Sequence, residues 1–154
     1  TEHGISSYGE LESKLTAVSA RRDTAHAEIK RIESRSAELA LVMKHAGTYR
    51  QLKPLYERYR KSNDKEKFLR GHESEIILFE AAARELKRLG AVPLPTTESM
   101  KTELAKLNAE KERLLTEYKT ARTEAQEYET VKQNVDALLA VPKEQEQQRR
   151  HELE

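Results

Sequence analysis

An all-α fold, a long antiparallel coiled-coil hairpin with a small helical bundle inserted between its arms, is the fold class this sequence predicts. Three observations lead there. A 3-4 spacing runs without proline through Tyr8, Leu11, Leu15, Val18, Arg22, Ala25, Ile29, Ile32, Ser36, Leu39, Met43 and Ala46, the spacing of a coiled-coil seam. A second run of the same spacing follows Met100, Leu104, Leu107, Lys111, Leu114, Tyr118, Ala121, Ala125, Tyr128, Lys132, Val135 and Leu139. Between them, Ile76 to Ala83 holds one polar residue, Glu80, the pattern of a helix buried among others.

The first arm is predicted over about 7–46. Ser6 or Ser7 can cap it, because a hydroxyl accepts from an otherwise unpaired N–H of the first turn; its length is roughly 58 Å at 1.5 Å per residue. Gly47 is the expected stop or kink, and Arg22 and Ser36 interrupt the apolar seam. The inserted bundle is predicted over 48–90. Pro54 cannot donate to a helix ladder, so either the first helix ends near Leu52 or a new one starts at Pro54. Asn63 or Asp64 caps the next segment, Glu73 to Leu89 is helical, and Gly90 ends it. AVPLPTT is an extended connector, because Pro93 and Pro95 restrict themselves and the residues before them. Thr96 or Thr97 caps the second arm, 97–140, which ends before Pro142. The remainder, 141–154, is expected to be a disordered tail whose final Leu153–Glu154 pair reads as a vector scar, and a chain starting at Thr1 reads as a piece of a longer protein.

The two seams align in an antiparallel register in which paired residue numbers sum to 146 or 147. Val18 then faces Tyr128, Ile29 faces Tyr118, Ile32 faces Leu114, Leu39 faces Leu107 and Met43 faces Leu104. That register sets Ser36 beside Lys111 and Arg22 beside the small Ala125. The structural seam is thus Leu11, Leu15, Val18, Ile29, Ile32, Leu39, Leu104, Leu107, Leu114, Tyr118 and Tyr128.

Of all residues 36% are charged and the mean hydropathy is −0.87, which suits two-helix seams better than a thick core. The chain has no cysteine, which excludes disulfides and thiolate chemistry and fits a reducing cytoplasm. No apolar run approaches the ~20 residues that cross a bilayer, so no membrane association is expected. His3, His26, His45, His72 and His151 never fall three or four apart, so no paired metal ligands arise. Five scattered glycines make no phosphate-cradling loop. The expectation is no metal, no cofactor, no small-molecule substrate and no catalytic residue.

Charge is not evenly spread. Between Lys44 and Arg70 nine Lys or Arg face three acids, a local +6 in a chain whose net charge is +1. In this stretch Tyr49, Tyr56, Tyr59 and Phe68 interleave with Arg50, Lys53, Arg58, Arg60, Lys61, Lys65, Lys67 and Arg70, a composition suited to neutralising phosphates and stacking bases. A solvated charged face whose aromatics point inward has the same composition.

Three longer stretches resemble a known family: TEHGISSYGELESK at the start, KEKFLRGHESEIILFEAA within the middle, and LPTTESMKTE leading into the last helix with Asn134 to Asp136 near its end. Together they resemble the C-terminal helical region of relaxases, the mobilization nucleases of Gram-positive conjugative transposons and integrative conjugative elements. The resemblance implies a parent enzyme that nicks DNA from an active site upstream. It implies for this stretch a non-catalytic accessory role in conjugation: a helical interaction arm that docks onto a type IV coupling protein or other conjugation protein, or that pairs with a second copy as a homodimer. The alternative is a sequence-nonspecific DNA-binding module that holds origin-of-transfer DNA near the nuclease through its basic helical tip.

Overall fold

A computed structural model describes the backbone over residues 7–153 and side chains over 7–140. Three helices are present among the described residues, α1 (Tyr8–Lys61), α2 (Lys65–Arg88) and α3 (Thr97–Leu153), and no strand. No helix among the described residues is long and apolar enough to cross a membrane.

Side-chain chemistry at the helix ends accounts for most boundaries. Ser7 Oγ accepts from the Glu10 N–H at 3.2 Å, and Ser6 lies outside the described residues. Asp64 caps α2 by accepting from the Lys67 N–H at 3.1 Å. Thr96 caps α3 through the Ser99 N–H at 3.1 Å. Each side chain satisfies one of the donors that a helix start leaves unpaired. At the end of α2 the Gly90 N–H donates to the Lys87 carbonyl and the Ala91 N–H to that of Leu86. This paired closure requires a left-handed residue, and Gly90 supplies it at φ 70°.

Two expected boundaries are corrected. α1 does not stop at Gly47 or break at Pro54; it continues as one helix to Lys61. An interior proline costs about 3 kcal/mol through its missing N–H and its ring, and ring packing on both sides of Pro54 opposes the break. Tyr49 and Tyr56, one heptad apart, both stack on Phe79 of α2, at 4.8 and 4.3 Å between centroids. The start of α2 matches the expectation: it begins at Lys65 behind its Asp64 cap, and the stretch from Glu73 follows a kink at His72, whose φ of −136° is non-helical. α3 does not end before Pro142: helical backbone runs on to Leu153, through Lys, Glu, Gln and Arg residues that favour helix. The side chains of the expected tail, and Glu154, lie outside the described residues.

The chain divides into two compact units. The first combines Thr1–Lys30 with Lys111–Glu154. Its core is a cluster of Val18, Ala121 and Ala125, with Leu15 and Tyr128 packed against it. Tyr8 meets Asp136, Arg21 meets Glu124 and His26 meets Tyr118. Numbers rise along α1 as they fall along α3, so these segments run antiparallel. The paired numbers of these three contacts sum to 144 or 145, about two below the expected 146 or 147, while Tyr128 packs against the cluster that holds Val18, as expected. Tyr118 contacts His26, and Ala125 shares a cluster with Val18. Size shapes this contact: Ala121 and Ala125, one turn apart and 0% and 4% exposed, are small enough for Val18 to be buried with them, and the bulkier Tyr128 packs against the cluster half-buried. Leucine in place of Ala121 is expected to overpack this contact and destabilise the fold by about 1–3 kcal/mol, read as a lower midpoint in thermal unfolding followed by circular dichroism. At the end of this unit the Tyr8 hydroxyl donates to Asp136 at 2.9 Å. That hydrogen bond, ahead of a smaller desolvation effect, pushes the phenol up to about 12, so it stays a donor across neutral pH.

The second unit is Arg31–Glu110. Ile32, Leu39, Val42 and Ala46 of α1, Ile76, Phe79, Ala82 and Leu86 of α2, and Met100 and Leu107 of α3 are buried there. α2 repeats its buried positions every three or four residues, so one face is covered and the other is not. Ile77 and Leu78 stand 54% and 55% exposed, which corrects the expectation of a helix covered all round. Arg35 grips Glu103 with two bonds of 2.8 and 3.2 Å. Its guanidinium holds the Glu103 carboxyl below the usual carboxylate range, the hydrogen bond being the largest cause. What this pair contributes is present above the ordinary glutamate pKa and is lost as pH falls through the lowered one.

Candidate nucleic-acid interface

The basic stretch 50–70 occupies the last turns of α1, the turn at 62–64 and the first turns of α2, all within the second unit. Asp64, by starting α2 three residues after α1 ends, brings the two runs of cations to the same end of the pair. Arg50, Lys53, Arg58, Arg60, Lys61, Lys65, Lys67 and Arg70 are all exposed. Among the described residues none of the eight forms an ion pair with an acid. Elsewhere the pattern reverses: Arg21, Arg31, Arg35, Arg88 and Arg113 are each within 4 Å of a glutamate. Exposed ion pairs contribute little to stability, but their absence leaves charge uncompensated at the surface.

The eight are not equivalent. Arg50 donates to Thr97 Oγ1 at 2.9 Å and to the Pro95 carbonyl, so it ties the connector to α1. The Arg70 guanidinium reaches the Glu66 carbonyl at 3.4 Å. Arg58 lies over the Phe68 ring at 5.7 Å and Lys53 over the Tyr49 ring at 5.9 Å, distances at which a ring face attracts a cation. These contacts orient the charged heads, which remain at the surface.

The aromatic residues do something different from the cations they interleave with. Phe79, 6% exposed, stacks with both Tyr49 and Tyr56; Tyr59 and His72 pack on Phe68 at 6.0 and 4.7 Å. The rings are thus each other's partners, and they hold α1 on α2. Spacing alone could not separate this arrangement from a base-stacking one, because Phe79 lies outside the basic stretch.

Two grooves separate the cations of α1. Lys53 and Arg60 border a groove of about 570 Å³ between α1 and α2, together with Glu57, Glu80 and Arg84. Arg58 and Lys61 border another of about 490 Å³ that reaches Ser62 and Phe68. Arg84 is a member of this surface that sequence reasoning missed. Nothing local marks it, since only the seating of Phe79 against Tyr49 and Tyr56 carries Arg84 to α1. Among the described residues no three or more His, Asp or Glu side chains come together to hold a metal ion.

Comparison with known protein families, with curated proteins and with solved structures found no match.

Proposed function

We propose that this chain is a non-catalytic accessory arm of a conjugative relaxase, and that its basic tip holds nucleic acid by the phosphate backbone. The observation that carries the reading is the set of exposed cations between Lys53 and Arg70 that form no ion pair among the described residues, in a chain where Arg21, Arg31, Arg35, Arg88 and Arg113 are each paired with a glutamate. Phosphate contacts of this kind give affinity and orientation without sequence preference. The relaxase assignment rests on the sequence resemblance. It places the nicking chemistry upstream of this stretch, in a bacterial cytoplasm. The reading of the long helices as coiled-coil arms is supported by the opposed pairing within each unit, Tyr8 to Asp136 in one and Arg35 to Glu103 in the other.

A second reading, docking onto a coupling protein or onto a second copy, is favoured by Ile77 and Leu78, apolar side chains left more than half exposed on α2. Fluorescence anisotropy of labelled DNA at low salt separates the two. Binding is expected on the first reading; no binding leaves the docking arm as the function to pursue.

A further inference from the structure

We infer that the outer face of α2 pairs with the same face of a second copy of this chain, antiparallel across a two-fold axis. The inference rests on the docking reading above and names its partner and its contact. Glu73, Ile77, Glu80, Arg84 and Lys87 recur along α2 at steps of four and three residues, and all five are exposed. That is the spacing of a helix-pairing seam, set apart from the buried side of α2 that carries Ile76, Phe79, Ala82 and Leu86. Ile77 at its centre and Leu78 beside it are 54% and 55% exposed, apolar surface that gains from being covered.

Charge selects both the occupant and its direction. The acids of this seam, Glu73 and Glu80, come first along α2 and its cations, Arg84 and Lys87, come last. Reversed end to end, the face is therefore its own complement, whereas a parallel copy would set like charge against like. The ion pairs of α2 among the described residues are His72 with Glu75 and Glu85 with Arg88, so neither Glu73 nor Arg84 is engaged in one. A two-fold axis at the level of Leu78 and Phe79 sets Glu73 of each copy against Arg84 of the other and Ile77 against the stem of Glu80, each contact occurring twice. The face from Glu73 to Lys87 is about 22 Å long at 1.5 Å per residue and one helix wide, short of the roughly 800 Å² per partner of a standard stable interface. The dimer is accordingly weak and forms with rising concentration.

The test is sedimentation velocity of the whole chain between ~10 and ~500 μM, the range in which a small interface assembles. It is run on the wild type, on Ile77→Ser, on Glu73→Arg, on Arg84→Glu, on the double variant Glu73→Arg/Arg84→Glu, and on Leu41→Ser as a control. Leu41 is an apolar side chain of α1 that is 42% exposed. The wild type is expected to pass from monomer to dimer across the range. Ile77→Ser and each single reversal are expected to weaken the dimer about tenfold or more, the double reversal to restore it, and Leu41→Ser to leave it unchanged. Circular dichroism checks that each variant keeps its helicity. A dimer untouched by Ile77→Ser and by both single reversals, or a double reversal no better than the singles, would overturn the α2 pairing while leaving self-association in place. A monomer at every concentration would overturn both.

Discussion

Phe79→Ala is expected to destabilise the Arg31–Glu110 unit by about 3–5 kcal/mol, the range for truncating a buried phenylalanine. Phe79 is 6% exposed and is the ring on which both Tyr49 and Tyr56 stack. Such ring pairs add about 0.5–1.5 kcal/mol beyond area burial, so the loss belongs in the upper part of that range. The consequence reaches beyond the cavity. Pro54 interrupts the hydrogen-bond ladder between the two tyrosines, and their common contact with Phe79 holds α1 straight through that gap. Without the ring, α1 is expected to break near Pro54. The check is urea unfolding followed by circular dichroism, together with amide exchange. Exchange should rise over residues 48–61 and stay unchanged in the core around Val18, Ala121 and Ala125; equal loss in both places would contradict the role given to Phe79.

Reversing Arg58, Arg60 and Lys61 to glutamate together is expected to remove nucleic-acid binding at any salt above ~50 mM. Loss of three phosphate contacts alone lowers the salt slope by about three. Three new negative charges then repel the backbone. The three side chains are exposed and form no ion pair among the described residues, although they are the cations of the last turn of α1 and Arg58 lies over Phe68, so only a small loss of helicity at that end is expected. The two grooves refine the expectation. Arg60 borders the one with Arg84, while Arg58 and Lys61 border the one reaching Phe68. Arg60→Glu alone and the Arg58/Lys61 pair should therefore each retain part of the affinity that the triple variant loses. Full loss from Arg58 and Lys61 alone, with Arg60 indifferent, would place the contact in the second groove.

Local chemistry made much of the fold legible. The 3-4 spacing over Leu11 to Leu39 and over Leu104 to Tyr128 marks side chains that are buried or half-buried in the structure. Capping oxygens at Ser7, Asp64 and Thr96 and the stop at Gly90 lie where short-range hydrogen bonding puts them. What stayed illegible depended on distant partners. A proline has the same local effect whether or not a ring column spans it, so the passage of α1 through Pro54 could be seen only with Phe79 in place. Several registers satisfy the same apolar spacing; contacts such as His26 to Tyr118 and Arg21 to Glu124 lie about two residues from the one expected. The candidate site shows the same division. Its cations are legible as a +6 run, but which of them face a common groove, and that Arg84 joins them, follows only from how α2 seats on α1.

The central claim, a phosphate-binding tip, is tested most directly by the salt dependence of duplex binding to the wild-type chain. Anisotropy titrations between ~50 and ~200 mM salt give the slope of log K against log salt, about −0.9 for each phosphate neutralised. Several exposed cations engaged at once predict a slope of about −3 or steeper and an affinity that falls by about a hundredfold across that range. A flat slope, or no binding at ~50 mM, would contradict the account.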